Sequence, residues 1–282
     1  MTSEPNKQVT SLSPKVNLHT HTALCKHATG TVSDYAQVAV DSGMTILGMA
    51  DHCPTPEVTE FSDTRMDISE LPLYLAQLDE AAQTFPQLTI LRGFELGYFP
   101  KYGLDFYRDM KEECRLDYYI GGVHYVFDEE GELLWRRHGE DTRRIVKRYV
   151  RQSIELLESG LIDYMTHPDI IGSSIDHWEP EFDAEFRELI QTAIAQDIAL
   201  EVNAYGVRKG IIDTADGPRW RYPMMKFWEL ASSYSPRVVI GADAHSPETL
   251  NVGWDKCQQL LNYFGLTAEN EQLAKAIIAR RS

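Results

Sequence analysis

The sequence predicts an α/β fold, a distorted (βα)7 TIM-like barrel with its functional site at the C-terminal ends of the strands. Three observations predict it. Seven short apolar runs recur at intervals of roughly 30 to 45 residues, a suitable length for a βα unit. Helix-like stretches separate the runs, and strands alternating with helices imply parallel strands with helices outside. Six of the seven runs stop at histidine, aspartate or glutamate. A barrel brings all those ends to one face, whereas the edge strands of an open sheet lie too far apart to share a site. Seven strands would make a distorted relative of the eight-stranded form.

In chain order, "KVNL" stops at His19, "TILGMA" at Asp51 and His52, and "LTILRGF" at Glu95. "DYYIGGV" stops at His124, "IDYMT" at His167, "IALEV" at Asn203, and "RVVIGA" at Asp243 and His245. Between the first two runs, "TVSDYAQVAVDSG" reads as a helix with Ser33 as N-cap and Gly43 as its C′ stop. "EFDAEFRELIQTAIAQ" places Phe182, Phe186, Leu189, Ala193 and Ile194 at helical spacing, a core-packing stripe. The opening "MTSEPNKQVTSLSPK" is polar and has no apolar signal-peptide core. Residues 1–14 are therefore expected to form a flexible tail and residues 15–282 a single barrel domain. No run approaches the roughly 20 apolar residues of a membrane span, so a cytoplasmic protein without a membrane partner is expected.

The 282 residues are 43% hydrophobic, ample for one large core. The formal net charge of −16 argues against nucleic acid as a partner, since such a surface would be basic. Cys25, Cys53, Cys114 and Cys257 form no CxxC pair and read as free thiols. Cys25 and Cys53 sit beside candidate ligands and are read as neighbours that do not ligate.

The strand ends collect His19, His21, His27, His52, Glu95, His124, His167, Asp243 and His245. The remaining histidines, His138 and His177, lie in charged stretches and read as solvated. His-x-His after a strand puts both imidazoles on one side, and "GADAH" repeats that geometry at the last strand. Imidazole is a poor core filler and a good metal ligand. Nine donors are too many for one ion, so two or three ions with a bridging carboxylate are expected. A nitrogen-rich set suits divalent Zn, Mn, Fe or Co better than Mg or Ca.

The motifs "LHTHTALCKH", "ADHCP", "FELGY", "GGVHY", "THPD" and "ADAHS" resemble those of the PHP (polymerase and histidinol phosphatase) superfamily. The resemblance runs from about Val16 to Ser246. "DTRMD", "EVNAYGVRKG" and "YPMM" look like its histidinol-phosphate phosphatase branch. The resemblance implies hydrolysis of L-histidinol phosphate, a step of histidine biosynthesis, by a metal-bridging hydroxide. It assigns His19, His21, Glu95 and Asp243 to a first ion. Glu95 would bridge to a second held also by His124 and His167, and His27, His52 and His245 would hold a third. Glu95, Asp243 and His245 would be catalytic.

Three divalent ions bring +6 against −2 from Glu95 and Asp243. The site would thus attract a phosphate dianion despite the overall charge. Arg208, Lys209 and Asn203 at the ligand-free end of the sixth run are candidates for substrate binding, with Arg208 as phosphate anchor. Arg65, Arg219, Arg221 and Tyr222 are further candidates, and Asp51 is expected to orient a ligand. The segment "DGPRWRYP" departs from the branch, which often has Glu near the Tyr-Pro pair. Another superfamily phosphoesterase acting on phosphotyrosine proteins or small nucleotides is the alternative. A metal-binding module without catalysis and a metal-dependent amidohydrolase barrel are further ones. The chain is expected to be a monomer or homodimer.

Overall fold

The computed structural model describes residues 14–57, 62–134 and 141–281. His138, and all of the expected N-terminal tail but Pro14, lie outside the described residues. Nine strands form among the described residues. They are β1 (Val16–Asn17), β2 (Ile46–His52), β3 (Thr89–Gly97), β4 (Tyr118–Gly122), β5 (Tyr164–Met165), β6 (Ala199–Asn203), β7 (Ile211–Ile212), β8 (Arg219–Trp220) and β9 (Val238–Gly241). The α-helices are α1 (Val32–Asp41), α2 (Leu71–Thr84), α3 (Gly103–Glu113), α4 (Thr142–Glu158), α5 (Pro180–Ala195), α6 (Ala204–Arg208), α7 (Met225–Ser232), α8 (Trp254–Tyr263) and α9 (Asn270–Ala279).

Strands β1 to β6 and β9 pair side by side, all parallel, in the order β1-β2-β3-β4-β5-β6-β9. The sheet then closes on itself. Thr20 bridges Ala244 in parallel, with the His21 N–H donating to the Ala244 carbonyl at 2.9 Å. The expected seven-stranded barrel is present, although β1 and β5 keep only two residues each. Strands β7 and β8 form a small antiparallel hairpin outside it, which no sequence signal announced.

Helix α1 starts two residues earlier than expected. Thr31, not Ser33, is the N-cap, and it exchanges hydrogen bonds with Asp34. Gly43, at φ +74°, supplies the left-handed stop. In α5, Phe182, Phe186, Leu189 and Ala193 are buried as expected, joined by Ile190, but Ile194 is 42% exposed. At about 100° per residue Ile194 lies about 100° from the centre of that stripe.

Two apolar clusters build the molecule. One lies between helices and sheet; the other lies inside the barrel. The inner cluster gathers Val16, Ile46, Tyr118, Tyr164 and Val239 near the strand starts, and Leu273, Ala274 and Ile277 of α9 pack on them. Helix α9 thus stops the N-terminal mouth. Past its end, Arg280 pairs with Asp163 and Arg281 with Asp117. Those carboxylates, almost buried, also accept the N–H of Tyr119 and Arg92 at 3.0 and 2.6 Å. Replacing both arginines by alanine should lower stability by about 1–2 kcal/mol, because the carboxylates are buried but the guanidinium groups are half in water. Thermal melts should fall by several degrees while metal content and kcat stay at wild-type values.

Candidate metal centre

The two spaced pairs lie against each other at the seam of the barrel. Thr20 and Ala244 form the closing bridge, so His19 and His21 on one side and Asp243 and His245 on the other turn inward. Glu95 sits within β3, in register with His52 of β2 and Ile120 of β4. His124 and His167 each follow the last residue of β4 and β5 by two positions. His167 and Asp243 have φ +28° and +48°. Holding such residues in the left-handed region costs about 1–3 kcal/mol, a strain that clusters where geometry serves function.

The donor atoms form a cage. His19 Nε2 lies 3.1 Å from His21 Nε2, 3.5 Å from Glu95 Oε2 and 3.5 Å from Asp243 Oδ1. His21 Nε2 lies 3.4 Å from Glu95 Oε2 and 3.2 Å from Asp243 Oδ1. A tetrahedral ion with ligands at 2.0–2.1 Å would have edges of about 3.3 Å, and these five spacings are of that size. The other carboxylate oxygen, Glu95 Oε1, lies 2.9 Å from His167 Nε2 and 3.4 Å from His124 Nε2. His52 Nδ1 is 3.0 Å from Glu95 Oε2 without hydrogen-bond geometry, and Asp243 Oδ1 is buried without a hydrogen bond.

The outer pair makes the strongest case for a cation. His27 Nδ1 bonds the Cys25 carbonyl at 2.8 Å and His245 Nδ1 the Asp243 carbonyl at 3.1 Å. A carbonyl only accepts, so each Nδ1 carries the proton and each Nε2 a lone pair. Those two Nε2 atoms face each other at 2.9 Å. Two lone pairs at that distance repel unless a cation lies between or beside them.

Electrostatics agree. Burial would lower the His19 pKa, but Glu201, Asp243 and Glu95 override it and hold the pKa well above the ordinary value. That appetite for a proton is an appetite for any cation. Burial opposes charge on Glu95 and Asp243 as well, yet the surrounding histidines keep both carboxylates ionised, well below their ordinary range. Burial lowers His124 to about 3 and His245 to about 4, which leaves them neutral donors at pH 7.

One contributor escaped the sequence reading. Glu201 in β6 is completely buried, and its Oε1 accepts the His19 Nδ1–H at 2.7 Å. Its Oε2 accepts the His167 N–H at 3.0 Å and the Asn203 amide at 2.9 Å. A Cβ at Gly241 would collide with this carboxylate, so glycine is needed there. The carboxylate fixes the His19 tautomer and leaves Nε2 for the cage. The signal was available: a charged residue inside "IALEV" needs a buried partner. Asp51 plays a related part. It accepts the Thr22 N–H at 2.8 Å and hydroxyl at 2.5 Å, and lies 3.9 Å from His21 Nδ1.

All nine expected ligands converge, but the expected substrate residues divide. The cage floors a cavity of about 190 Å³ whose walls include Thr64, Arg65, Tyr125, Tyr205, Lys209 and Tyr222. Arg208 is a correction. Its guanidinium donates to the carbonyls of Val252, Ala242 and Asp243 at 2.8–2.9 Å and does not line the cavity. Asn203 is another, since its amide spans Glu201 and Asp243 and its oxygen caps α6. Arg221 is exposed and outside the lining, and Arg219 is spent on four backbone carbonyls. His177 is exposed beside Asp216, as expected of a solvated histidine. The four cysteines are free and buried. No helix among the described residues is long and apolar enough to cross a membrane.

The profile of the PHP domain matches residues 17–205. A protein of Deinococcus radiodurans described as a probable histidinol-phosphatase is 30% identical over 235 residues, covering 81% of this chain and 85% of that one. The structure of histidinol phosphate phosphatase from Lactococcus lactis, complexed with Zn, L-histidinol and phosphate, superposes with a TM-score of 0.67 at 13% identity. It covers 90% of this chain and 95% of that one. A candidate histidinol phosphatase of Listeria monocytogenes superposes with a TM-score of 0.70 at 21% identity, over 86% of this chain and 99% of that one. Barrel, donor cage and matched profile agree: the chain belongs to the PHP domain family.

Proposed function

We propose that this chain is a metal-dependent phosphomonoesterase that hydrolyses L-histidinol phosphate to L-histidinol and phosphate, with two to three divalent Zn, Mn, Fe or Co ions. The observation that carries this reading is the donor cage, whose facing lone pairs call for cations, at the floor of a cavity walled by Arg65 and Lys209. The Deinococcus relative's description and the ligands of the Lactococcus structure favour histidinol phosphate.

His19, His21, Glu95 and Asp243 would hold one ion, Glu95 with His124 and His167 a second, and His27, His52 and His245 a third. Bound ions of this kind supply positive charge to phosphoryl oxygens and lower the pKa of water. The chain's own part is positioning, the main demand of phosphoryl transfer. Arg65 is buried, its Nη1 anchored on the Cys53 carbonyl at 3.1 Å and its guanidinium 4.9 Å from the Phe99 ring centroid. Lys209 Nζ lies 4.4 Å from the Tyr205 ring centroid and 5.8 Å from that of Tyr222. We assign these two cations, in place of Arg208, to the phosphate. We place the reaction in the cytoplasm.

A phosphate-release screen with Mn²⁺ or Zn²⁺ tests the substrate. Histidinol phosphate should exceed phosphotyrosine peptides and nucleotides by tenfold or more in kcat/KM. The reverse order would move the chain to the second reading, a different phosphomonoesterase. A Shewanella amazonensis relative, 26% identical over 239 residues and described only as a probable phosphatase, favours that one.

The charge assignment has its own test. Lys209→Ala should lower kcat/KM about 10- to 150-fold, the worth of one charge-assisted contact, with metal content unchanged. Arg208→Ala should behave differently. Untying the carbonyls of Ala242 and Asp243 should lower melting temperature and metal content together. A wild-type kcat/KM in Lys209→Ala would remove that residue from the phosphate site.

A further inference from the structure

The hairpin of β7 and β8 leaves the cavity wall at Lys209 and returns to it at Tyr222. The metal centre makes no use of it. Arg219, at its base, does something a surface arginine need not do. Its Nη1 donates to the carbonyls of Trp220 and Arg221 at 2.8 and 3.1 Å. Its Nη2 donates to the carbonyls of Gly172 and Ile175 at 2.8 and 2.5 Å. The first pair of carbonyls belongs to the stretch that leads into Tyr222. The second belongs to the turn that follows His167, and that turn contributes Ile170 to the cavity. One guanidinium thus joins two pieces of cavity wall, which its planar fork of donors permits.

A second observation is independent of the arginine. The stretch from Arg221 to Met224 is threaded between two glycines. A Cβ at Gly206 would collide with the ring and carbonyl of Tyr222, and one at Gly172 with the Met224 side chain and the Arg221 carbonyl. Asp169, completely buried, anchors the exit of the stretch. Its Oδ2 accepts the Met224 N–H at 2.5 Å and the Trp228 indole N–H at 3.1 Å. Tyr222 therefore lies between two anchors, Arg219 before it and Asp169 after it. It is 2% exposed, and its ring centroid lies 6.2 Å from that of His167. A side chain packed this closely moves only with its backbone, so the two anchors decide where the ring stands.

We propose that Arg219 is a positioning residue for the substrate. By holding the entry of this stretch against the turn after His167, it sets how far Tyr222 stands from the donor cage. It thereby sets the room for the part of the substrate that is not phosphate. The proposal rests on the phosphomonoesterase reading and deepens it. The cage, Arg65 and Lys209 take the phosphate. Tyr222 and Ile170 are left to meet the organic body, so its recognition is separable from phosphate binding. Asp169 and the two glycines still hold the stretch when Arg219 is removed. Loss of the arginine therefore loosens one end of the wall and leaves the barrel and its donors in place.

Steady-state kinetics of the metal-loaded full chain separate the two kinds of recognition, with inorganic phosphate as competitive inhibitor. The substrate is histidinol phosphate, or whichever phosphomonoester the screen prefers. In Arg219→Ala, KM should rise about tenfold or more, the scale of a group misplaced by about 1 Å. The inhibition constant of inorganic phosphate, kcat at saturation and metal content should stay near wild type. Adding Tyr222→Ala tests the route. If Arg219 acts through Tyr222, the double variant should have the KM of Tyr222→Ala alone. Multiplied effects in the double variant would overturn the positioning role, as would equal weakening of phosphate and substrate, or a wild-type KM in Arg219→Ala. If that variant folds poorly, Arg219→Lys decides. It keeps the charge and loses the fork, so the same selective rise in KM is expected, and its absence overturns the proposal. Wild-type protein that hydrolyses no phosphomonoester would overturn the functional reading itself, and this proposal with it.

Discussion

Glu95→Gln should abolish phosphatase activity, by about 10⁴-fold in kcat or more, the scale seen when a member of a concerted catalytic group is lost. The reason is geometric. One carboxylate faces five histidines. Its Oε2 lies 3.5, 3.4 and 3.0 Å from nitrogens of His19, His21 and His52. Its Oε1 lies 3.4 and 2.9 Å from those of His124 and His167. An amide keeps the shape but removes the charge that joins two groups of ligands. At least one tightly bound equivalent of metal should be lost, as elemental analysis would show, while circular dichroism stays native. His27→Ala should differ in kind. His27 faces His245 and stacks on the His52 ring but makes no contact with Glu95, so the inner ions should remain and added metal should restore part of the rate. Equal metal loss in both variants would contradict the bridging role of Glu95.

The barrel and its donors were legible because two periodicities coincide. Apolar runs mark strands, and a polar residue at a run's C-terminal end has nowhere to go but the common face. The closure by Thr20 and Ala244 makes this concrete, since the middle residues of both spaced pairs point away from the donors. What stayed hidden was how polar side chains are already spent. "NAYGVRKG" announces an arginine near the site, but not that three backbone carbonyls claim Arg208 and leave Lys209 to line the cavity. Asn203 looked like a strand-end contact to substrate. Its amide in fact holds Asp243 at 3.1 Å. Glu201 was passed over because it sits within a strand rather than at its end. Side-chain parity could have found it, since residues two apart share a face and Asn203 faces inward. The helix cap at Thr31 and the hairpin of β7 and β8 follow from local exchanges between near neighbours that apolar spacing does not record.

Glu201→Gln should weaken the metal centre from outside it. Both carboxylate oxygens accept, and three donors converge on them: His19 Nδ1–H at 2.7 Å, His167 N–H at 3.0 Å and the Asn203 amide at 2.9 Å. Glutamine fills the same space but must turn an NH₂ group toward one of these donors. Either His19 loses the partner that fixes its tautomer, or the left-handed backbone at His167 loses the bond that holds it. Each buried unsatisfied donor costs about 1–3 kcal/mol, so the melting temperature should fall. A fall in stability alone would suit any buried carboxylate. The distinguishing readout is metal affinity by chelator competition, expected to drop about 10- to 100-fold, as for other partners of a ligating histidine. Because Glu201 does not line the cavity, KM for substrate at saturating metal should stay near wild type. Raising the metal concentration should recover most of kcat, which distinguishes this variant from Glu95→Gln. Unchanged metal affinity alongside a lower melting temperature would reduce Glu201 to a packing role and leave the orientation of His19 to the barrel alone.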